Sequence, residues 1–130
     1  MRGFDEADRW GGRAPAPAAC EAVPVIVLVV FVPTSHADAV RRAAAVAGAG
    51  HIGNYRACSF SSAGTGRFEP LDGARPAIGR IGELEEVAEE RIEVVCDRAD
   101  ARSILDAVLS AHPYEEPAYH LYETLDPSSL

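Results

Sequence analysis

The stretch Ala111–Glu123 concentrates the side chains of this chain that could perform chemistry. Its sequence, AHPYEEPAYHLYE, places two histidines, three tyrosines and three glutamates within thirteen residues. Imidazole nitrogens and carboxylate oxygens are common ligands of divalent metals in proteins. We therefore consider His112 and Glu116 as candidate ligands of a divalent metal, with His120 as a further candidate.

The same stretch also has a purely structural interpretation. Pro113 cannot continue a helix, so His112 would close a helix that ends just before it. Along an extended strand, Glu116 and His120 would lie about 13 Å apart, at ~3.3 Å per residue. That separation is too large for one ion unless the chain bends at Pro117. The structural interpretation is favoured, and the metal site remains the alternative.

A second group of candidates surrounds His51. Glycines at positions 48, 50 and 53 flank it, and they would either let the backbone approach a ligand or form a helix end and a tight turn. No base adjoins Cys58 in the sequence, so a buried, unreactive thiol is its simplest interpretation. If a ligand pocket forms, we expect its polar members to be His51, Asn54, Cys58, His112 and Glu115.

Composition excludes several classes of function. The 130-residue chain suits one domain with a small core. Its net charge of −8 argues against nucleic-acid binding. All 12 basic residues are arginines, which excludes a Schiff-base lysine and a phosphate-loop lysine. The three cysteines lie far apart, so we expect no disulfide framework and a cytoplasmic location. The apolar run Val23–Pro33 is too short to span a membrane.

Hydrophobic periodicity in the first half predicts a strand, a helix and a hairpin. The β-branched segment Val25–Val32 is typical of a buried strand. An alanine-rich segment with helical spacing follows, and Ser35 is its predicted N-cap. Alternating residues predict a strand over Tyr55–Ser61. A hairpin turn at Gly64–Gly66 would then lead into a short returning strand, Arg67–Glu69.

The second half predicts another strand, a helix and a last strand. The first of these occupies the second half of Glu86–Asp97 and follows a glycine-rich loop. An apolar stripe over Ile104–Leu109 predicts a helix that Pro113 stops. Tyr119–Thr124 is the last strand. The order β-α-β-β-α-β predicts an α+β, ferredoxin-like split βαβ fold with two helices on one sheet face and a decorated central hairpin.

Such a fold leaves one face of the sheet without helices. Because the first strand is apolar on both sides, we expect a partner to cover that face, most simply copies of the same chain. The domain is predicted to span residues 23–125. Residues 1–22 are predicted to be a disordered N-terminal tail, and residues 126–130 a C-terminal tail.

Several motifs together resemble one protein family. They are GAGHIGNYRACSF, GTGRF, GARPAIGRIGELEEV, ERIEVV and AHPYEEPAYHLY. From Val25 to Tyr122 the chain is similar to the YqfO family, also called Ngg-interacting-factor-three-like, whose longer bacterial members carry this pattern as an inserted domain. The resemblance implies a fold similar to CutA and PII proteins, which are ferredoxin-like trimers. CutA shares the HPYE element ahead of its last core strand.

The resemblance implies a binding or regulatory module rather than an enzyme. In longer YqfO-like proteins a two-metal centre lies in flanking domains that this sequence lacks, so we do not expect hydrolase or cyclohydrolase activity to transfer. We expect a trimeric CutA/PII-like module that binds a divalent metal or a small molecule at subunit clefts. An accessory cap for a separate metal-dependent hydrolase and a purely structural oligomer are the alternatives.

Overall fold

The structure is a computed structural model, and it describes residues 25–130. Its six main elements are β1 (Val25–Pro33), α1 (Thr34–Val46), β2 (Phe60–Phe68), β3 (Glu85–Asp97), α2 (Ala101–Ala111) and β4 (Tyr119–Glu123). Short 3-10 turns occupy Arg98–Asp100 and Pro127–Ser129. None of the described helices is long and apolar enough to cross a bilayer. The predicted tail over residues 1–22 lies outside the described residues.

The four strands form one antiparallel sheet in the order β2-β3-β1-β4. At its centre, Val29 of β1 pairs with Glu93 of β3 on one side and with His120 of β4 on the other. Each β-α-β connection returns its helix to the same sheet face, because the core joins both helices to one side of β1 and β3. This is the predicted ferredoxin-like arrangement.

The hydrophobic core lies between the sheet and the two helices. Alternate residues of β1 point toward the helices, and the matching residues of β3 share that face. Fully burying one such side chain contributes about 1.5–3 kcal/mol. The larger core side chains are aliphatic: Ile26, Leu28, Val30, Val32, Val40, Ile92, Val94, Ile104, Leu105 and Val108. The apolar stripe predicted for α2 is thus confirmed.

Two predictions about local structure near α1 are wrong. The helix begins at Thr34 without a side-chain cap, and the Ser35 hydroxyl lies 2.8 Å from Nδ1 of His36 instead. Residues 55–59 form a loop rather than a strand, because Tyr55 pairs back to Ile52 around a tight turn. Cys58 therefore lies in this loop and not in a strand.

The predicted turn at Gly64–Gly66 is also wrong. These residues continue β2 and pair with β3, so Arg67 and Phe68 belong to the same strand and do not return. Gly66 suits this place because an added Cβ would overlap the carboxylate of Glu89 on the neighbouring strand. The true connection between β2 and β3 is the glycine-rich loop of residues 69–84, which decorates the central hairpin.

One face of the sheet carries no helix from residues 25–130. Antiparallel partners share a face, so Val27 lies beside Val95 of β3 and Tyr122 of β4. Val29 is only 1% exposed on this face, whereas Phe60 and Tyr122 are 65% and 53% exposed. We call this surface the open face, and we define it by Val27, Val29, Phe31, Phe60, Val95, His120 and Tyr122.

Candidate functional site

His112 joins the end of α2 to the end of β1. The helix stops at Ala111 ahead of Pro113, and the imidazole, 7% exposed, turns inward. Its Nε2 lies 2.7 Å from the carbonyl oxygen of Phe31, and its Nδ1 lies 3.1 Å from the backbone nitrogen of Tyr114. The carbonyl oxygen of Phe31 can only accept a hydrogen bond, and the backbone N–H of Tyr114 can only donate one. Nε2 therefore carries the proton, Nδ1 accepts, and the ring is neutral.

These two bonds engage both ring nitrogens of His112. Burial lowers the pKa of the imidazole, and the bond to the Phe31 carbonyl opposes the shift only in part. Glu116 is exposed. Over residues 25–130, no group of three or more His, Cys, Asp or Glu side chains is placed to hold a metal ion. A metal on His112 would therefore need one of these two ring bonds to break. The role of His112 and Glu116 as metal ligands stays a prediction.

Acid should destabilise the folded protein through His112. Its folded pKa lies below the ordinary value of 6.5, so the unfolded chain takes up the proton first as the pH falls. The contribution is fully present above pH 6.5 and is lost as the pH falls toward the folded pKa. We expect the free energy of unfolding to drop by up to about 1.4 kcal/mol per pH unit in this window.

Urea denaturation between about pH 7.5 and 5.5 measures this dependence. His112→Gln is the control. Its side-chain amide does not titrate, whereas every other ionisable group is the same as in the wild type. The wild type should lose stability more steeply than the variant below pH 6.5. Equal slopes in the two proteins would contradict a neutral, buried His112.

Tyr114 anchors the turn after α2 to the edge of the open face. Its hydroxyl donates to Oε2 of Glu89 at 3.2 Å, and its ring packs edge-to-face on Phe68 with centroids 5.6 Å apart. Burial, together with the Glu89 carboxylate, raises the pKa of Tyr114 to about 12. The phenol therefore stays neutral near pH 7 and holds the turn in place as a hydrogen-bond donor.

A cleft of about 570 Å³ lies between this turn and the loop of residues 69–84. The backbone N–H of Arg75 donates to Oε1 of Glu115 at 2.7 Å and links the two walls. The volume is within the range of about 300–1,000 Å³ that is usual for small-molecule sites. We call it the loop cleft; its walls include Phe68, Glu69, Pro70, Leu71, Asp72, Ile78, Tyr114, Glu115 and Glu116.

The structure places the other sequence candidates in the loop of residues 47–59. Gly50 donates its N–H to the carbonyl of Val95 at 2.7 Å, and Cys58 donates its N–H to the carbonyl of Gly50 at 3.0 Å. These bonds tie the loop to β3. His51 and Asn54 are exposed, and Cys58 is half-buried.

His51 and His112 therefore lie at different ends of the sheet. Val95 pairs with Val27 of β1, whereas His112 binds Phe31. Four residues of strand separate those two points, or about 13 Å at ~3.3 Å per residue. Within one chain the structure thus brings Glu115 and Glu116 into one cleft, close to the turn that His112 begins, and keeps His51, Asn54 and Cys58 apart from them.

The loop of residues 69–84 contains none of the site residues predicted from the sequence. Leu71 and Ile78 are apolar residues in a long glycine-rich connection, and loops of this length often carry function. The length of this connection is therefore the feature of the sequence that could have indicated a site here. Nothing in the local pattern shows that Glu115 would meet the backbone of Arg75, forty residues earlier.

Comparison with known proteins identifies homologous proteins and structures of similar fold. No protein-family model matches the chain. It is 53% identical over 95 residues to the GTP cyclohydrolase 1 type 2 homolog of Halalkalibacterium halodurans, across 73% of this chain and 26% of that protein. This chain is a homologue of one segment of that protein. The crystal structure of a Bacillus cereus protein related to NIF3 matches with a TM-score of 0.70 and 43% identity, over 91% of this chain and 30% of that one.

The chain also shares its fold with more distant proteins. The PII-like protein CutA from a Nostoc species matches with a TM-score of 0.57 and 16% identity, over 81% of this chain and 86% of that one. At that identity the likeness shows the fold alone, and it confirms the predicted CutA/PII-like, ferredoxin-like class. The chain spans only about a quarter to a third of the NIF3-related proteins it matches.

Proposed function

We propose that this NIF3-related segment is a non-catalytic binding module that works as an assembly of identical copies. The open face is the observation that carries the proposal, because no described element covers it. We favour a trimer, in line with the CutA/PII-like fold that the sequence resemblance implies, with a divalent metal or small molecule held at clefts between copies. Its free Cys58 and Cys96 suit the reducing cytoplasm.

The side chains of the open face suit self-association. Phe60 and Tyr122 expose more than half of their surface, and aromatic residues are enriched at protein interfaces. Arg91 and Glu93 lie on the same face and form an ion pair at 2.7 Å. Because this pair is satisfied within one chain, covering it leaves no unpaired charge. A second copy can therefore cover the exposed aromatic rings while desolvating one ion pair rather than an isolated charge.

Tyr122→Glu should dissociate the assembly. A carboxylate buried in a dry contact loses its water and finds no partner, so we expect at least a hundredfold weaker self-association, about 3 kcal/mol. Analytical ultracentrifugation over a range of concentrations measures the mass. Tyr55→Glu is the matched control, since Tyr55 is 70% exposed in the loop of residues 47–59 and not on the open face.

The wild type and Tyr55→Glu should sediment as multiples of the chain, and Tyr122→Glu as single copies. A well-folded wild type that remains a single copy at high micromolar concentration would overturn the proposal. So would equal dissociation of the two tyrosine variants, because that result would point to charge alone and not to the open face.

An accessory role beside a metal-dependent hydrolase is the second candidate. The difference in length favours it, because the chain matches only 26% of a longer protein whose name refers to GTP cyclohydrolase. In this role the catalytic groups would belong to other segments or to a separate protein. Native purification of the tagged chain, followed by metal analysis of any stoichiometric partner, tests this candidate. A pure homo-oligomer would favour the first proposal.

A further inference from the structure

The loop cleft differs from the open face because one chain forms it completely. We propose that this cleft binds a small organic cation, namely a protonated amine with an apolar or aromatic body. This site goes beyond the binding role proposed above, which places its ligand between copies. The cleft needs no second copy, so the cation site and the self-association can fail separately.

Apolar and aromatic side chains form part of the cleft wall. Phe68 and Tyr114 pack edge-to-face there, and Pro70, which also lines the cleft, is buried. Leu71 is 69% exposed and lines the same cleft, so it contacts water in the free protein. A ligand with an apolar body would displace that water and gain free energy from burial.

The charged groups of the cleft all have one sign. Glu69, Asp72, Glu115 and Glu116 line it, and none of the arginines within residues 25–130 does. In the described part of the chain none of these four carboxylates forms an ion pair. Oε1 of Glu115 accepts the Arg75 N–H, and this neutral donor leaves the negative charge uncompensated. The cleft therefore favours a cation and repels an anion.

Aromatic rings beside carboxylates are the groups that recognise an ammonium. The face of a tyrosine or phenylalanine ring attracts a cation within about 6 Å of its centre, and the attraction adds to that of a carboxylate. A hydrated metal ion would gain little from the apolar wall. An organic amine gains from both parts of the cleft, which is why we prefer it as the occupant.

The walls of the cleft are held in place before a ligand arrives. Within the loop, Gly82 donates its N–H to the carbonyl of Pro70 at 2.7 Å, and Ala74 donates to the carbonyl of Leu71 at 3.0 Å. The Arg75–Glu115 bond fixes the loop to the turn after α2. A site that is already ordered loses less entropy on binding, so a small ligand can bind without folding the loop.

Tryptamine is a suitable probe, and two relatives separate its parts. Tryptophol keeps the indole ring and lacks the charge, whereas methylammonium keeps the charge and lacks the ring. Titrations followed by ¹⁵N–¹H NMR should show tryptamine shifting the amides that line the cleft on both sides. Both relatives should bind at least about tenfold more weakly than tryptamine. Tryptophol loses the attraction of the charge and methylammonium loses the burial of the ring, and we expect these two contributions to be comparable.

Glu116→Gln should weaken tryptamine binding about fivefold, because it removes one carboxylate from the wall. Glu83→Gln is the matched control, since Glu83 is exposed in the same loop but does not line the cleft. Equal effects of the two variants would show that only overall charge matters and would overturn the proposal. So would equal binding of tryptophol, or shifts confined to residues outside the cleft.

Repeating the titration with Tyr122→Glu separates the two proposals. If the cleft binds tryptamine in this variant as in the wild type, the site is intrinsic to one chain whatever the state of assembly. If the wild type assembles but tryptamine causes no shift at the cleft, the cation site is wrong and the self-association proposal stands.

Discussion

Gly50→Ala should lower the free energy of unfolding by about 3 kcal/mol or more. Gly50 is buried with a φ of +88°, and an added Cβ would lie 2.5 Å from the nitrogen and 2.6 Å from the oxygen of Cys58. Those are backbone atoms, so they cannot turn aside as a side chain would. Relief would require the loop to move and break the bond of Gly50 to Val95.

Gly48→Ala is the control for backbone strain alone. Its φ of +110° is also unfavourable for alanine, but no atom lies within 4 Å of the added Cβ. We expect Gly50→Ala to cost at least about 1 kcal/mol more than Gly48→Ala, the least cost usual for overpacking. Urea denaturation at matched protein concentration compares them, because association would otherwise alter apparent stability. Equal decreases in the free energy of unfolding of the two variants would contradict the close packing of Gly50 on Cys58.

His112→Ala should destabilise the protein by about 3 kcal/mol. The variant leaves the carbonyl of Phe31 and the N–H of Tyr114 without their partner at a buried place, and it opens a cavity between β1 and the turn. His51→Ala removes an exposed imidazole and should change stability by no more than about 0.5 kcal/mol. Thermal and urea unfolding of both variants measure the difference.

A chelator distinguishes the structural role of His112 from a metal role. If the imidazole only bridges Phe31 and Tyr114, EDTA should leave the stability of the wild type unchanged. If His112 holds a metal, EDTA should lower the wild type to the level of His112→Ala and leave the variant unaffected. That second outcome would contradict the hydrogen-bonded arrangement described above.

The sequence predicts those elements whose burial repeats with a single period. β1 is apolar throughout, since one face meets the helices and the other belongs to the open face. The stripe Ile104–Leu109 repeats with the helical period, and Pro113 sets the end of α2. These signals are local, so β1 and α2 follow closely from the residues themselves.

Other parts depend on contacts between distant residues. β2 consists mostly of small and exposed residues, so it has no burial pattern of its own. Its pairing with β3 makes it a strand, and the fit of Glu89 beside Gly66 is visible only after the two strands meet. The ring of His112 reaches Phe31 across 81 positions of sequence. The loop cleft likewise exists only because the loop of residues 69–84 meets a turn some forty positions later in the sequence.

The central place of β1 bears on how the protein folds as it is synthesised. β1 is the first described strand, and its two neighbours are β3 and β4, which come much later in the chain. At roughly 5–20 residues per second, β4 leaves the ribosome some 5–20 s after β1. During that interval a strongly apolar segment has an unpaired edge, and pairings so distant in sequence form slowly. The nascent chain is therefore a natural client for chaperones until Tyr119–Glu123 has emerged.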